Sequence, residues 1–302
     1  MTSSRLIFIV GPTAVGKSEI ALLLAKKIGA EIVSCDAMQV YKEVTIASDK
    51  PSARALAEVP HHCLGIASVT EDFDVSRFRQ HAVAAIADVQ SRGRLPLIVG
   101  GSGMYVSILL DGIFEGGVKN EALRLQLAAD IEVEGAIAVH AKLQALDPVA
   151  AAKIHVNDPQ RIIRALEVVM TTGKPISQLQ QQRDGLWGKQ PIILIGLERE
   201  REELYRRVEA RIDVMFERGL VEEVRHLMQM PLSSTAAKVI GIPEVSGHLR
   251  GEYDIERAKY LMKLNTRHYV KRQLTWFKRD QRIQWFNPES SETIKEILEM
   301  VQ

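Results

Sequence analysis

Short apolar runs alternate with amphipathic stretches along the first hundred residues. Leu6 to Val10 is continuously apolar, which is typical of a strand covered on both faces. Ile20, Leu23, Leu24 and Ile28 then recur at helical spacing, and Gly29 is a suitable helix stop. The pattern therefore predicts a strand, a connecting loop and a helix in this order.

The same alternation continues downstream. The stretch "EIVSCDAMQVY" predicts a short strand that ends at Asp36, and "LPLIVGGSGMYV" predicts another that ends at Gly100 to Ser102. Residues 76–92 between them have the period of a helix, with Phe78, Val83, Ile86 and Val89 on one face. Repeated strand–helix alternation predicts a parallel sheet flanked by helices, with ligands bound beyond the carboxyl ends of the strands.

The pattern changes at about residue 118. Helix-forming residues dominate 118–190, and "PIILIGLE" at 191–198 then reads as a return to the sheet. We therefore predict an α/β fold, a P-loop parallel sheet flanked by helices with an inserted all-helical subdomain. The core would comprise residues 1–117 and 191–302 and would end in charged C-terminal helices. The insertion would comprise residues 118–190.

Composition narrows the class of protein. The 302 residues are 46% hydrophobic and 25% charged, as in ordinary globular proteins, and the net charge of +1 requires any nucleic-acid site to be a local patch. Two cysteines, Cys35 and Cys63, argue against a disulfide framework or a cysteine-rich zinc site and favour a reducing cytoplasm. No apolar run has the length of a membrane span, so no membrane partner is expected.

The loop after the first strand carries the strongest motif. "GPTAVGKS" matches the phosphate-binding pattern G-x-x-x-x-G-K-[ST], in which backbone N–H groups and a helix N-terminus surround an anion. A di- or triphosphate is therefore expected here, and ATP or GTP is the usual occupant of such loops. The candidate diphosphate-binding residues are Gly11, Pro12, Thr13, Ala14, Val15, Gly16, Lys17 and Ser18.

Asp36 is the acidic residue best placed at the strand edge, and its position alone leaves three roles open. It could organise Mg²⁺, as in a small-molecule kinase, or accept a proton as a general base. It could also be no more than a carboxylate that caps a loop or helix. The strand "PLIVGG" ends in glycines, so the second acidic residue that many NTPases and kinases place on such a strand is missing.

Basic residues concentrate near the C-terminus. Between Lys259 and Arg282 eight Lys or Arg residues oppose one Asp, and four of them form a stripe at fourfold spacing on a predicted helix: Lys259, Lys263, Arg267 and Lys271. Such a stripe suits nucleic-acid phosphates, although a solvated helix face is the alternative. Arg161 and Arg164 are a second pair, for which an ion pair with Glu167 is the simpler explanation.

Several long motifs in order resemble the bacterial-type tRNA dimethylallyltransferases, also called tRNA isopentenyltransferases of the IPP transferase family. The resemblance runs from Leu6 to about Phe286. It rests on "GPTAVGKS", "DAMQVY" with "KPS", "PHH" at 60–62, "VGGSGMYV", "NDPQRIIRALEV…TGKPIS", "REELYRRVEARIDVMFERGLVEEV" and "NTRHYVKRQLTWFKR".

The resemblance implies a reaction and its cofactor. A dimethylallyl group would move from dimethylallyl diphosphate to N6 of the adenosine that follows the anticodon in tRNA, with release of diphosphate and with Mg²⁺ bound at Ser18. Asp36 would be the general base, with Lys17, Ser102 and Arg211 as further catalytic residues. The tRNA anticodon stem-loop would meet Asp36, Ala37, Met38, Gln39, Ser102, Arg124, Gln160, Arg161, Ile162, Ile163 and Arg164.

Ala37 departs from the family pattern, in which Ser is common at this position, and so removes one hydroxyl from the site. An adenylate isopentenyltransferase would share the phosphate loop and Asp36 but would not need the basic segments. A P-loop small-molecule kinase and a non-catalytic tRNA-binding protein are the remaining alternatives. The expected protein is a cytoplasmic monomer.

Overall fold

The computed structural model describes residues 5–114 and 119–301, and its centre is a six-stranded parallel sheet. The order across the sheet is β3-β2-β4-β1-β5-β6. The strands are β1 (Leu6–Val10), β2 (Ala30–Ser34), β3 (His61–His62), β4 (Leu95–Gly100), β5 (Ile192–Leu197) and β6 (Gln284–Phe286).

β1 lies in the interior of the sheet, and its apolar sequence follows from that position. All five of its residues are fully buried, because helices cover both faces and β4 and β5 pair with its two edges. Ile9 lies opposite Val99 of β4 on one side and Ile195 of β5 on the other. The loop after β1, Asp36 after β2 and Gly101 after β4 consequently share one edge of the sheet.

The chain forms two compact units, Met1–Leu110 with Trp187–Gln302 and Asp111–Leu186. The first contains the sheet and most helices. These are α1 (Lys17–Ile28), α2 (Ala53–Glu58), α3 (Val75–Ser91), α4 (Gly103–Asp111), and, following the helices of the second unit, α10 (Arg201–Glu217), α11 (Leu220–Leu227), α12 (Ile242–Leu249), α13 (Ile255–Phe277) and α14 (Ser291–Val301), with a 3₁₀ turn at Ala236–Lys238.

The second unit, called here the helical unit, is built from α5 (Glu121–Glu134), α6 (Ala136–Leu146), α7 (Pro148–Ala151), α8 (Pro159–Thr172) and α9 (Ile176–Leu179), with a 3₁₀ turn at Gln180–Gln182. Side chains of Asn120 and Asp158 cap the N-termini of α5 and α8. Its own core includes Leu127, Val139, Leu143, Ile162 and Leu166.

The predicted fold class is confirmed, and most predicted strands lie where the apolar runs placed them. The helix predicted at 76–92 spans Val75–Ser91. Two strands were not predicted, because β3 has two residues and β6 three, too few for an alternating pattern. The predicted boundary at 117/118 lies outside the described residues. Among the helices of 5–114 and 119–301, none is both long and apolar enough to cross a bilayer.

Candidate active site

The phosphate loop, residues 11–18, leaves β1 through a close backbone approach. Gly11 has φ +146°, and a Cβ at this position would lie 2.5 Å from the Leu197 carbonyl oxygen at the end of β5. Gly16, with φ +108°, turns the chain into α1, whose first residue is Lys17. Neither conformation suits a residue with a side chain, so the two glycines determine the path of the loop.

Lys17 lies inside the loop. Its Nζ donates to the carbonyl oxygens of Gly11, at 3.0 Å, and Pro12, at 2.7 Å. Burial lowers the pKa of Lys17 to about 8, although the negative charge of Asp36 acts in the opposite direction and Arg211 lowers it further. Burial therefore makes the charged form of Lys17 unfavourable, and an anion that binds beside it would offset this cost.

Three side chains that sequence reasoning missed hold the loop from outside. Arg207 Nε donates to the Ala14 carbonyl and Arg199 Nε to the Val15 carbonyl, both at 2.9 Å. The Thr13 N–H donates to Gln273 Oε1, also at 2.9 Å. They stand 184 to 260 positions further along the chain, so no local pattern links them to the loop.

Asp36 is half-buried just beyond β2, and the two oxygens of its carboxylate differ in their hydrogen bonding. Oδ1 accepts backbone N–H bonds from Met38, at 2.8 Å, and Gln39, at 3.4 Å. No donor in the described parts of the chain reaches Oδ2. One oxygen therefore orients the carboxylate, and the other is available to a ligand.

The turn after β4 brings a hydroxyl to the same place. Ser102 is buried, and its Oγ accepts the Ala37 N–H at 2.9 Å. A Cβ at Gly100 would lie 2.0 Å from the Cys35 carbonyl oxygen, so a side chain there would push this turn away from Asp36. Ser102 thus supports the Asp36 turn through the backbone N–H of Ala37. Every residue except proline has this N–H, so the bond does not depend on the side chain at position 37.

Lys17 and Asp36 line one cavity of about 600 Å³, and Ser102 is not among the described residues that line it. Its walls carry both cations and carboxylates, and its lining includes Lys17, Ser18, Asp36, Asp49, His61 and Arg211. The predicted Lys17, Ser18, Asp36 and Arg211 are thus brought together, whereas Asp49 and His61 were not predicted.

Arg211, on α10, has an incomplete set of partners in this cavity. Its guanidinium pairs with Asp49 at 3.3 Å, and Arg218 approaches the same carboxylate at 3.9 Å. Arg211 Nε is one of the buried side-chain nitrogens that have no hydrogen-bond acceptor within 5–114 and 119–301. Arg211 lines the cavity, and a guanidinium with an incomplete set of partners at a cavity wall is the arrangement expected for an anion site.

Of the predicted tRNA-contacting residues after β2, Gln39 is already engaged. It accepts a hydrogen bond from Ser34 Oγ at 2.9 Å, and its amide donates to the carbonyls of Ser48 and Asp49 at 3.3 Å. Gln39 therefore connects two walls of the cavity. Ala37 and Met38 are both half-buried beside Asp36.

In the helical unit, the predicted RNA-contacting arginines are partly occupied by acids. Glu167 is fully buried and accepts bonds from Arg124 at 2.7 Å and Arg164 at 2.6 Å. Burial acts to raise the pKa of Glu167, but these bonds and one from the Asn120 N–H hold it at about 2. The simpler explanation for Arg164, a pair with Glu167, is confirmed.

The remaining residues of that segment differ in accessibility. Gln160 and Arg161 are exposed, Arg161 pairing with Asp158 at 3.3 Å, and Ile163 is half-buried. Ile162 is fully buried in the core of the helical unit. Its predicted contact with RNA therefore needs correction: the side chain supports α8 from inside, because the inward face of the helix is apolar.

The basic stripe on α13 is largely neutralised within the protein. Lys263 pairs with Asp213 and Arg267 with Glu209, both acids on α10, and Lys259 pairs with Glu256. Two of its four cations thus link α13 to α10, Lys259 pairs within α13, and Lys271 is exposed. The solvated-face alternative was too simple as well, because the acids of a second helix provide the partners.

Comparison with known proteins relates this geometry to a family. The family model described as IPP transferase matches residues 39–280. A tRNA dimethylallyltransferase of Geobacter metallireducens is 44% identical over 93% of this chain and 92% of that protein. Another, from Geobacillus thermodenitrificans, is 43% identical over 94% of this chain and 91% of its own length.

Two solved structures resemble the whole architecture. The tRNA isopentenylpyrophosphate transferase of Bacillus halodurans has a TM-score of 0.73 at 36% identity and covers 99% of this chain and 96% of its own. A eukaryotic dimethylallyltransferase acting on tRNA has a TM-score of 0.79 at 28% identity, over 94% of this chain and 74% of its own.

Proposed function

The chain belongs to the IPP transferase family and is a tRNA dimethylallyltransferase, and we propose that its phosphate-loop cavity binds dimethylallyl diphosphate opposite the acceptor adenine. The observation that carries this proposal is the meeting of a phosphate loop and the Asp36 carboxylate in one cavity. Cations on one wall suit the diphosphate, and the carboxylate on another suits the amine.

The chemistry assigned to Asp36 is proton acceptance. The adenine N6 attacks C1 of the dimethylallyl group, the C1–O bond breaks with its electron pair going to diphosphate, and the new N6–C1 bond leaves N6 with a proton to lose. Oδ2 of Asp36 accepts this proton, while the Met38 N–H keeps Oδ1 in place. A well-placed general base contributes about 10²–10⁴-fold to such a step.

The leaving group meets the cations of the opposite wall. Negative charge grows on the diphosphate as C1–O breaks, and Lys17, the loop N–H groups and Arg211 stabilise it. Lys17 would exchange its hydrogen bonds to the Gly11 and Pro12 carbonyls for bonds to the diphosphate. The exchange is favourable because burial penalises the charged Lys17 side chain, and a negatively charged partner offsets that penalty. Diphosphate is therefore a better occupant than a neutral ligand.

Mg²⁺ fits the donor atoms at this site. It prefers oxygen ligands, and the Ser18 hydroxyl at the start of α1 lines the cavity together with the diphosphate position. In the described chain, no cluster of three or more His, Cys, Asp or Glu side chains forms a cage for a metal. Ser18 and diphosphate oxygens would thus hold the ion, which when bound neutralises leaving-group charge.

The acceptor is the adenosine that follows the anticodon. This base lies in an unpaired loop, where leaving the stack into a buried site is least costly. Gln39 lines the cavity, and Ala37, Met38 and Ser102 form the turn beside Asp36 that the base would meet. In the helical unit, the exposed Gln160 and Arg161 have the accessibility that RNA contact needs, with Ile163, Arg164 and Arg124 beside them. We place the reaction in the cytoplasm, where tRNA is modified, and assign it to a single copy of the chain.

A transfer assay with labelled dimethylallyl diphosphate tests the proposal. Label should enter unmodified tRNA and not AMP, with release of pyrophosphate and no consumption of ATP. Asp36→Asn, which keeps the oxygen that caps the turn, should lose about 10²–10⁴-fold in rate. Asp74→Asn is the matched control, because Asp74 also accepts two backbone N–H groups but caps α3 outside the cavity.

Label in AMP alone would assign the chain to adenylate prenylation, and ATP consumption without label would favour a kinase. Equal rates in both variants would exclude Asp36 as the base. Loss of rate in Asp74→Asn alone would show that the assay reports folding.

A further inference from the structure

Gln273 of α13 is buried with 4% exposure, and its amide joins two loops of the active site. Oε1 accepts the Thr13 N–H of the phosphate loop at 2.9 Å. Nε2 donates to the Gly101 carbonyl of the turn after β4, also at 2.9 Å. Each polar end of one short side chain thus holds the backbone of a different loop.

The next turn of α13 contacts α4, the helix that follows the β4 turn. Tyr269 precedes Gln273 by four positions and Trp276 follows it by three, so the three side chains share one helix face. Trp276 Nε1 donates to Ser107 Oγ at 3.3 Å, and a Cβ at Gly103 would lie 2.4 Å from its ring. Gln273 therefore holds the β4 turn, and Trp276 packs against the first turns of α4, which follows it.

Tyr269 belongs to the Asp36 side of the cavity. Burial and the charge of Asp36 raise the pKa of Tyr269. Ser102 in turn accepts the Ala37 N–H beside Asp36. Hydrogen bonds and short covalent links consequently connect Thr13, where the leaving group binds, to Asp36, where the proton is accepted.

Resting on the proposed function, we propose that Gln273 is a positioning residue that sets the separation between the bound diphosphate and the Asp36 side of the cavity. Gln273 is not among the described residues that line the cavity, and its effect passes through the Thr13 and Gly101 backbones. The transferred carbon must lie close to N6 and in line with the breaking bond. A displacement of about 1 Å can therefore cost about 100-fold in rate while each binding site stays intact.

A second buried polar residue on the same helix provides the contrast. Thr266 is 5% exposed, and its hydroxyl donates to the Met262 carbonyl within α13 at 2.8 Å. Its hydrogen bond stays inside the helix and reaches neither loop. Thr266→Val therefore tests what loss of a buried polar group on α13 does to the fold.

The experiment compares Gln273→Met, which keeps the length of the side chain without its polar atoms, with Thr266→Val and wild type. We measure pyrophosphate affinity, thermal unfolding and the single-turnover rate of transfer to tRNA at saturating donor. For Gln273→Met we expect pyrophosphate Kd within about threefold of wild type and a rate about 10–100-fold lower. For Thr266→Val we expect a changed unfolding temperature and an unchanged rate.

Gln273→Glu adds a readout that a structural role would not move. In its protonated form the new carboxyl accepts from the Thr13 N–H and donates to the Gly101 carbonyl, as the amide does. In its ionised form the carboxylate has no proton to donate, and its negatively charged oxygen repels the Gly101 carbonyl oxygen. The rate relative to wild type should therefore rise as pH falls from about 8 to 6, with both enzymes measured in the same buffers.

A Gln273→Met enzyme with the wild-type rate and only a lower unfolding temperature would overturn the proposal. So would a parallel loss of pyrophosphate affinity and rate, which would confine Gln273 to the phosphate loop. If Gln273→Met does not fold, a pH-independent rate ratio for Gln273→Glu overturns it alone. Failure of wild type to label tRNA would instead reject the proposed function.

Discussion

The phosphate-loop cavity and the Glu167 network of the helical unit contain the same kinds of charged residue in opposite states of completion. Glu167 is fully buried, and two arginines and a backbone N–H satisfy its oxygens. In the cavity, Arg211 keeps an unpartnered Nε and Asp36 an unengaged oxygen among the described residues. A complete network stabilises a fold, whereas an incomplete one indicates where a ligand belongs.

Removal of Arg211 should give the largest effect on this comparison. Arg211→Met is expected to lower kcat/KM for transfer by about 10²–10³-fold, because a preorganised cation no longer meets the leaving diphosphate. Arg218→Met is the matched control, since Arg218 faces the same Asp49 carboxylate without lining the cavity. Steady-state kinetics with varied donor measures both, and similar losses in the two variants would contradict a specific role for Arg211.

Loss of the Glu167 charge should be next in size and should affect stability. Glu167→Gln is expected to lower the free energy of unfolding by about 2–4 kcal/mol, since two arginines lose their buried partner. The depressed pKa sets the pH window: the contribution is present above about pH 4.5 and is lost as pH falls towards 2.

Chemical denaturation at neutral and acid pH measures this effect. Glu121→Gln, on an exposed pair with Lys119, is the control and should change stability by less than about 1 kcal/mol. If Glu167→Gln kept its stability but bound tRNA more weakly, the Glu167 network would serve RNA binding and not the fold. Arg124 and Arg164 would then act on RNA.

The pH dependence of anion binding sharpens the description of Lys17. Its pKa is lowered to about 8, so the cation is present at pH 7 and mostly lost at pH 9. Pyrophosphate affinity should therefore weaken about tenfold over this range as the proton is lost. Lys17→Arg stays charged and corrects for the titration of pyrophosphate itself. Calorimetry that finds the same pH dependence in both proteins would rule out Lys17 as the titrating group.

Asp49 should give the smallest effect, with the opposite sign. It pairs with Arg211 at the cavity and so competes with an incoming anion. Asp49→Asn is expected to tighten pyrophosphate binding about 2–5-fold at low salt, with a smaller gain at high salt, because partly exposed pairs are weak and screened. Glu217→Gln is the control, because Glu217 is an exposed acid on α10, the helix that carries Arg211. Weaker binding of Asp49→Asn in Mg²⁺ only would identify Asp49 as a metal ligand instead.

Local signals predicted the parts of the site that the chain builds from consecutive residues. The phosphate loop follows from glycines at positions 11 and 16, and Asp36 from its place after an apolar strand. The role of Gln273 had no such signal, because its partners Thr13 and Gly101 lie 260 and 172 positions away. Charge counting also misread the α13 stripe, since the acids that neutralise Lys263 and Arg267 lie on α10.

By itself the sequence determined the four longer strands and the helices between them, the conformation of the phosphate loop and, through resemblance, the reaction. These follow from backbone preferences and apolar spacing within a few residues. The tertiary structure alone decided which charges are compensated and which face the cavity. Arg124 and Arg211 are both arginines on amphipathic helices. Packing placed the buried Glu167 carboxylate beside two nitrogens of Arg124 and left Nε of Arg211 without an acceptor among the described residues.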